Sequence, residues 1–285
     1  MDEHSESASA ESSSRVFNWL DVTNRQLEMD ERNVSALSNI VESDSNIIPA
    51  HFPAGATEEH SLYSTFSNWA ESAAERQPGA LPLNTSTHTI PARRTILHPS
   101  ESPDFVIVVC QGWATSSISL SDGRRQILSF FLPRDIVSTP SLFEPMSGRL
   151  IEAVTDVTYR KFKRCELKTL LFKNPYLFEK ISKCWIEEKA NSDQLALDLG
   201  RRTADERIAR LILNLAERLT KRGMVYGQTL DFPLRQRQIA DATGLTPVHV
   251  SKVLGEFQRA DLIEISNRSL VISNEPALRQ IAGPK

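Results

Sequence analysis

Four residues near the carboxyl end, Val248, His249, Ser251 and Lys252, put an apolar methyl pair, an imidazole, a hydroxyl and an ammonium within five positions. Such groups suit the edges of base pairs. An ammonium, an imidazole and a hydroxyl bond guanine or adenine acceptors, and a valine covers a thymine methyl. To act together they must share one exposed helix face. Residues 234–260 read LRQRQIADATGLTPVHVSKVLGEFQRA. A first helix, about Arg235–Thr243, buries Ile239 and Ala242. Gly244 permits a sharp turn and Leu245 fills the angle. Thr246 is an N-cap and Pro247 the first residue of a second helix. At about a hundred degrees per residue, Val250, Val253, Leu254 and Phe257 form its core face. Val248, Ser251, Lys252 and Gly255 lie opposite, with His249 on the flank. A solvent face without carboxylates is what entry into a major groove requires.

Leu262–Ile265 and Leu270–Ile272 form a hairpin across Ser266–Ser269, which makes a wing. Arg235 and Gln236 open the first helix; with Thr246 and Arg268 they are placed to meet phosphate. A plain pair of packed helices would share the glycine turn. The capped helix, the bare face and the wing together favour duplex DNA.

No other grouping promises chemistry. The six histidines and Cys110, Cys165 and Cys184 have no metal-ligand or nucleophile–base spacing, and no glycine-rich phosphate loop occurs. The sequence therefore reads as no enzyme, with no cofactor or metal. Few, scattered cysteines suit a reducing cytoplasm. No apolar run reaches the eighteen or so residues a membrane span needs.

The elements that position this face occupy the rest of a 285-residue chain, which is 40% hydrophobic and 24% charged. Its net charge of −3 hides an asymmetry. Residues 1–90 hold 4 Lys and Arg against 14 Asp and Glu, while the remainder holds 29 against 22. An acidic arm precedes a basic body, as phosphate contacts favour. Residues 1–90 read as a partly disordered extension with short helices around Arg15–Ile48 and Ser61–Arg76, closed by the linker residues Pro78, Gly79, Pro82 and Pro91. Residues 91–174 read as short antiparallel strands, with Phe105–Cys110, Gln126–Phe131, Leu150–Val154 and Val157–Phe162 the clearest and a turn at Ser121–Gly123.

Residues 175–202 form a long helix opened by Pro175. Its Ile181, Trp185, Glu188, Ser192, Leu195 and Leu199 recur at spacings of four and three. That is the seam of a coiled-coil dimer, or else the face of a helix lying on its own β-domain. Residues 203–285 hold a helix from Thr203 to Arg222, with a Thr203–Glu206 capping box, and then the winged helix-turn-helix.

This order, an antiparallel β-roll of cupin-like jelly-roll type, a long dimerisation helix and a winged helix-turn-helix in an α+β chain, resembles the Crp/Fnr superfamily of bacterial transcription regulators. The resemblance spans about residues 90–275. It rests on Gly112-Trp113-Ala114, Asp122–Leu128, Phe131–Asp135, Glu152–Asp156, Thr203–Glu217 and above all Gly244–Leu254. It implies a homodimer on a pseudo-palindromic operator, with RNA polymerase as a further partner and a roll that senses a signal.

The chain departs from the family at telling places. In cyclic-nucleotide binders a glycine turn, a Glu and an Arg-Ser pair hold the ligand. Here Arg134 replaces the glycine, Thr139 stands where the Glu would be, and Arg149 is the one phosphate partner in view. The cysteine cluster of iron–sulfur members has no counterpart before Cys110, and His88 and His98 are the candidates for a haem ligand. No effector is identified. On the recognition helix the family's Glu-x-x-Ser-Arg becomes Val248, Ser251 and Lys252, which predicts an altered half-site. The alternative is an effector- or partner-binding protein whose helix-turn-helix is vestigial and whose acidic arm does the work.

Overall fold

The computed structural model describes residues 85–145, 148–226 and 228–284; the helices expected around Arg15–Ile48 and Ser61–Arg76 lie outside them. Seven strands form the roll: β1 (Thr85–Ile90), β2 (Thr95–Leu97), β3 (Phe105–Gln111), β4 (Ala114–Ser119), β5 (Arg125–Phe131), β6 (Leu150–Ala153) and β7 (Val157–Lys163). They make two antiparallel sheets, ordered β1-β7-β3 and β2-β6-β4-β5. A 3₁₀ turn, Thr139–Leu142, precedes β6. Then come α1 (Arg164–Lys173), α2 (Pro175–Arg201) and α3 (Ala204–Lys221). Strands β8 (Val225–Tyr226) and β9 (Thr229–Asp231), helices α4 (Gln236–Thr243) and α5 (Pro247–Arg259), strands β10 (Ile263–Ser266) and β11 (Ser269–Ile272), and α6 (Glu275–Ala282) complete the order. The third sheet runs β10-β11-β9-β8.

Strand β3 shows how sequence sets the layering. Its β-branched residues alternate, as strand geometry demands. Ile107 and Val109 join Leu97, Ala114, Phe131 and Ile151 between the two sheets. Val106 and Val108 face the other way, onto Leu167, Leu171, Leu177 and Ile181 of α1 and α2. The second sheet is also covered on its outer side. Trp113, Ile127, Phe130 and Leu132 share one core with Ile208 and Ile212 of α3 and Ile239 of α4. Four layers result: helices, sheet, sheet, winged-helix domain.

The roll begins earlier than residue 91. The stretch taken for a linker contains β1, which pairs along its whole length with β7, from Thr85 opposite Phe162 to Ile90 opposite Val157. It is an edge strand with one neighbour and no buried residue, so its polar threonines carry no hydrophobic signal.

Local rules set the long elements. Asn174 Oδ1 caps α2 by accepting from the Leu177 amide at 3.0 Å, with Pro175 at the first helical position. Thr203 and Glu206 form the foreseen capping box on α3: Glu206 Oε2 accepts from the Thr203 amide at 2.6 Å and Thr203 Oγ1 from the Glu206 amide at 3.4 Å. These bonds hold the Glu206 carboxyl below its ordinary value.

Gly112 turns the chain between β3 and β4 at φ 80°. A Cβ there would stand 2.0 Å from the Asp156 carbonyl oxygen. Gly112→Ala is therefore expected to lower stability by about 2–4 kcal/mol, from left-handed strain plus overpacking. A fall in the urea midpoint checks this, and an unchanged midpoint contradicts it.

Candidate nucleic-acid interface

The candidate surface is built from the α4–α5 pair. Gln238 Oε1 accepts from the Arg235 amide at 2.9 Å and so caps the start of α4. Gly244 ends α4 in the left-handed region, at φ 67°, and Leu245 donates to the Ala240 carbonyl at 3.1 Å. Thr246 Oγ1 accepts from the His249 amide at 3.2 Å, which starts α5. Val250, Val253, Leu254 and Phe257 are buried. Val248 is 81% exposed, and His249, Ser251 and Lys252 are exposed beside it. The four proposed base contacts thus stand on one open surface.

Of the proposed phosphate contacts, Arg235, Gln236, Thr246 and Arg268 are all exposed. Thr246 uses its oxygen as the cap yet keeps its hydroxyl hydrogen to donate. Asn267 and Arg268, at φ 48° and 66°, make the tight turn of the wing. The Arg268 carbonyl accepts from the Phe232 amide at 2.7 Å, which ties wing to scaffold and leaves the guanidinium outward. Asp231 stands near it. Burial raises that carboxyl above its ordinary value, against the opposing charge of Arg268.

Two features of this surface escaped the sequence reading. A groove of about 360 Å³ runs between α5 and the wing, lined by Gln236, Ser251, Gly255, Gln258, Phe232 and Ile265. Gln258 belongs to the same surface two turns beyond Ser251; the spacing of seven was the available signal. Glu256 also lies one turn after Lys252, its Oε1 3.9 Å from Nζ. The lysine face is thus not free of carboxylate.

The family profile described as the Crp-like helix-turn-helix domain matches residues 206–281, and that described as the cyclic nucleotide-binding domain matches residues 87–174. The transcriptional activator protein FnrL of Cereibacter sphaeroides is 30% identical over 196 residues, covering 67% of this chain and 78% of the relative. The transcriptional activator protein Anr of Pseudomonas protegens is 32% identical over 184 residues, or 63% of this chain and 73% of that protein. Among solved structures, FixK2 from Bradyrhizobium japonicum aligns with a TM-score of 0.64 at 27% identity, over 71% of this chain and 100% of that one. The chain belongs to the Crp/Fnr family.

It is a DNA-binding transcription regulator, and the matched helix-turn-helix of this Crp/Fnr protein includes the exposed α5 face. Its roll keeps the family's turn without the glycine, since Arg134 takes φ 78°. At the 3₁₀ turn the Thr139 amide donates to Glu188 Oε2 of α2 at 2.8 Å. This amide is engaged within the protein. His88 stacks on Tyr159 with ring centroids 5.4 Å apart, and His98 bonds Ser100 Oγ at 2.8 Å. Among the described residues no three His, Cys, Asp or Glu side chains gather as a metal site. Burial pushes the Cys184 thiol up to about 11, so it is a weak nucleophile near neutral pH. Among the described residues no helix is long and apolar enough to cross a membrane.

The long helix requires a correction. Ile181 is 1% exposed and packs on Val106, Val108 and Leu142 of its own roll. Glu188 bonds the roll at Thr139, and Trp185 lies against Phe143 with centroids 5.7 Å apart. Leu199 reaches the helix-turn-helix, its Cδ2 3.0 Å from where a Gly244 Cβ would be. Leu195 is half-buried and Ser192 exposed. For Ile181 and Glu188 the expected seam is the face that lies on the protomer's own β-domain, because that is where the buried apolar surface is. Outward, Ile186, Ala190, Asp193, Leu197 and Gly200 repeat at four and three, all exposed.

Proposed function

We propose that this regulator binds a pseudo-palindromic operator as a homodimer in the cytoplasm and presents itself there to RNA polymerase. The observation that carries the operator contact is the uncovered α5 face, on which Val248, His249, Ser251 and Lys252 stand together above a fully buried opposite face. Two such helices would sit about 34–36 Å apart, one turn of duplex. His249, Ser251 and Lys252 supply polar contacts to base edges and Val248 an apolar one. Arg235, Gln236, Thr246 and Arg268 hold the phosphates on either side.

The homodimer forms along the outward stripe of α2. Ile186 is 68% and Leu197 45% exposed in the protomer, an apolar pair that a second copy would cover. Ala190 and Gly200 between and beyond them let the two helices approach closely, and the spacing of four and three is that of a two-helix seam.

Selection from a pool of randomised duplexes, followed by gel shift, tests the reading. The recovered site should be a repeat of two inverted half-sites. Lys252→Ala should weaken it about ten- to hundredfold, the range for one specific base contact. Recovery of the unaltered family half-site by wild type, or full affinity in the alanine variant, contradicts the assignment of these residues.

A further inference from the structure

The reading head is held both from within its own domain and from outside it. Three elements converge on the carboxyl end of α4, immediately before the turn that starts the recognition helix. From α3, Arg207 Nη1 donates to the Thr243 carbonyl at 3.1 Å. From α2, Leu199 packs on Gly244. From the roll, Gln126 Nε2 donates to the Ala242 carbonyl at 3.1 Å. Next to it Arg125 reaches Asp241 Oδ2 with both Nε, at 2.9 Å, and Nη2, at 2.8 Å. Its Nη1 bonds Glu152 Oε2 of β6 at 3.0 Å.

The side chains of Arg125, Asp241 and Glu152 are each about three-quarters or more buried, at 20%, 18% and 27% exposure. A helix ends with carbonyls that lack partners and carry partial negative charge. Here those carbonyls are met by a guanidinium and an amide from neighbouring elements. A second clamp fixes the roll to α3: Asp135 accepts from Arg218 at 2.7 Å and from Arg222. The Asp135 clamp therefore anchors the domain, while the Arg125 contact reaches the helix-turn-helix itself.

We infer that Arg125 and Gln126, residues of the roll, are positioning residues for DNA reading: they set the pose of the recognition helix through the end of α4. The pose of each head fixes where its half-site must lie, so the spacing tolerated between half-sites is the property these residues govern. That last step rests on the homodimer proposed above. A flexible head would follow a displaced half-site; a head clamped to the roll would not.

The test uses the full chain and the duplex that wild type selects. Affinity is measured for Arg125→Ala, Asp241→Asn and the double variant, on that duplex and on versions with one or two base pairs added or removed between half-sites. Each pair added moves the second half-site about 3.4 Å along the axis. Each single variant should lose about tenfold in affinity on the selected duplex, within the range for members of one ion-pair network. The double should lose no more than either single, because both break the same contact. All three should show a flatter dependence on spacing than wild type, which general loss of stability does not produce.

If Arg125→Ala aggregates, Gln126→Ala, which leaves every charge in place, is held to the same spacing profile. Wild-type affinity and an unchanged profile in the variants overturn the inference while DNA binding stands. A wild type indifferent to spacing overturns the dimer reading instead and leaves the affinity cycle to decide the role of Arg125.

Discussion

Changing Ile186 and Leu197 together to aspartate is expected to leave a folded monomer whose affinity for the operator has fallen about 10²–10⁴-fold, the scale of lost bivalence. Both side chains point to solvent in the protomer, so their loss removes nothing from the three cores formed by the described residues. Two copies meeting along this stripe would place four carboxylates in one seam, beside Asp193, whose carboxylate is held by Lys189 on the same helix. Like charges at facing positions oppose association directly. Each monomer would then grip one half-site, and the second contact would no longer be intramolecular. Sedimentation should show half the wild-type mass, with the far-ultraviolet helix signal retained. The control is Ile181→Asp. Ile181 belongs to the roll core, so that variant should unfold the roll instead of parting a dimer. A double variant that still sediments as a dimer sinks the assignment of this face.

The contrast between these faces explains what the sequence could convey. Two stripes on α2 have the same four-three rhythm, Ile181 to Leu199 and Ile186 to Gly200. Periodicity alone marks both as candidates for packing without saying against what. The more apolar stripe suits either a dimer seam or the protomer's own β-domain, and its upper half is drawn onto the roll, where Ile181 meets Val106 and Leu142. An intramolecular partner is present at effectively high concentration and takes the better surface first. The helix-turn-helix was legible for the opposite reason. Its signals are local: a capping threonine, a proline at the first helical position, a glycine at φ 67° and a core face that repeats within one short helix.

Elements held mainly by distant partners were harder. Strand β1 is polar and flanked by prolines at 82 and 91; only its pairing with β7 reveals it. Helix α6 did carry a local sign, since Asn274 Oδ1 accepts from the Ala277 amide at 3.1 Å and Pro276 sits in its first turn. The contact of Arg125 with Asp241 joins residues 116 positions apart, and no spacing rule reaches that far.

The shared core leads to the second large effect. Trp113→Ala should destabilise the chain by about 3–5 kcal/mol, the usual cost of deleting a buried large aromatic. Trp113 is 1% exposed and enters the same cluster as Phe130 and Leu132 of the roll and Ile212, Leu219 and Phe232 of the C-terminal domain. The cavity would open at the join between the two, where neither domain alone can close it. A loss of that size is a large part of the roughly 5–15 kcal/mol that holds an ordinary domain folded. The loss should also fall on the coupling between domains. Wild type should unfold in one urea transition, because sheet and winged helix share a core; the variant should unfold in two, the roll and the reading head parting company. Trp113→Phe keeps most of the ring volume and should keep a single transition. A single transition at the wild-type midpoint in Trp113→Ala would show that the indole does not join the domains. The same measurement bears on DNA reading, for the head that Arg125 positions can be held in register only while the roll stays docked against it.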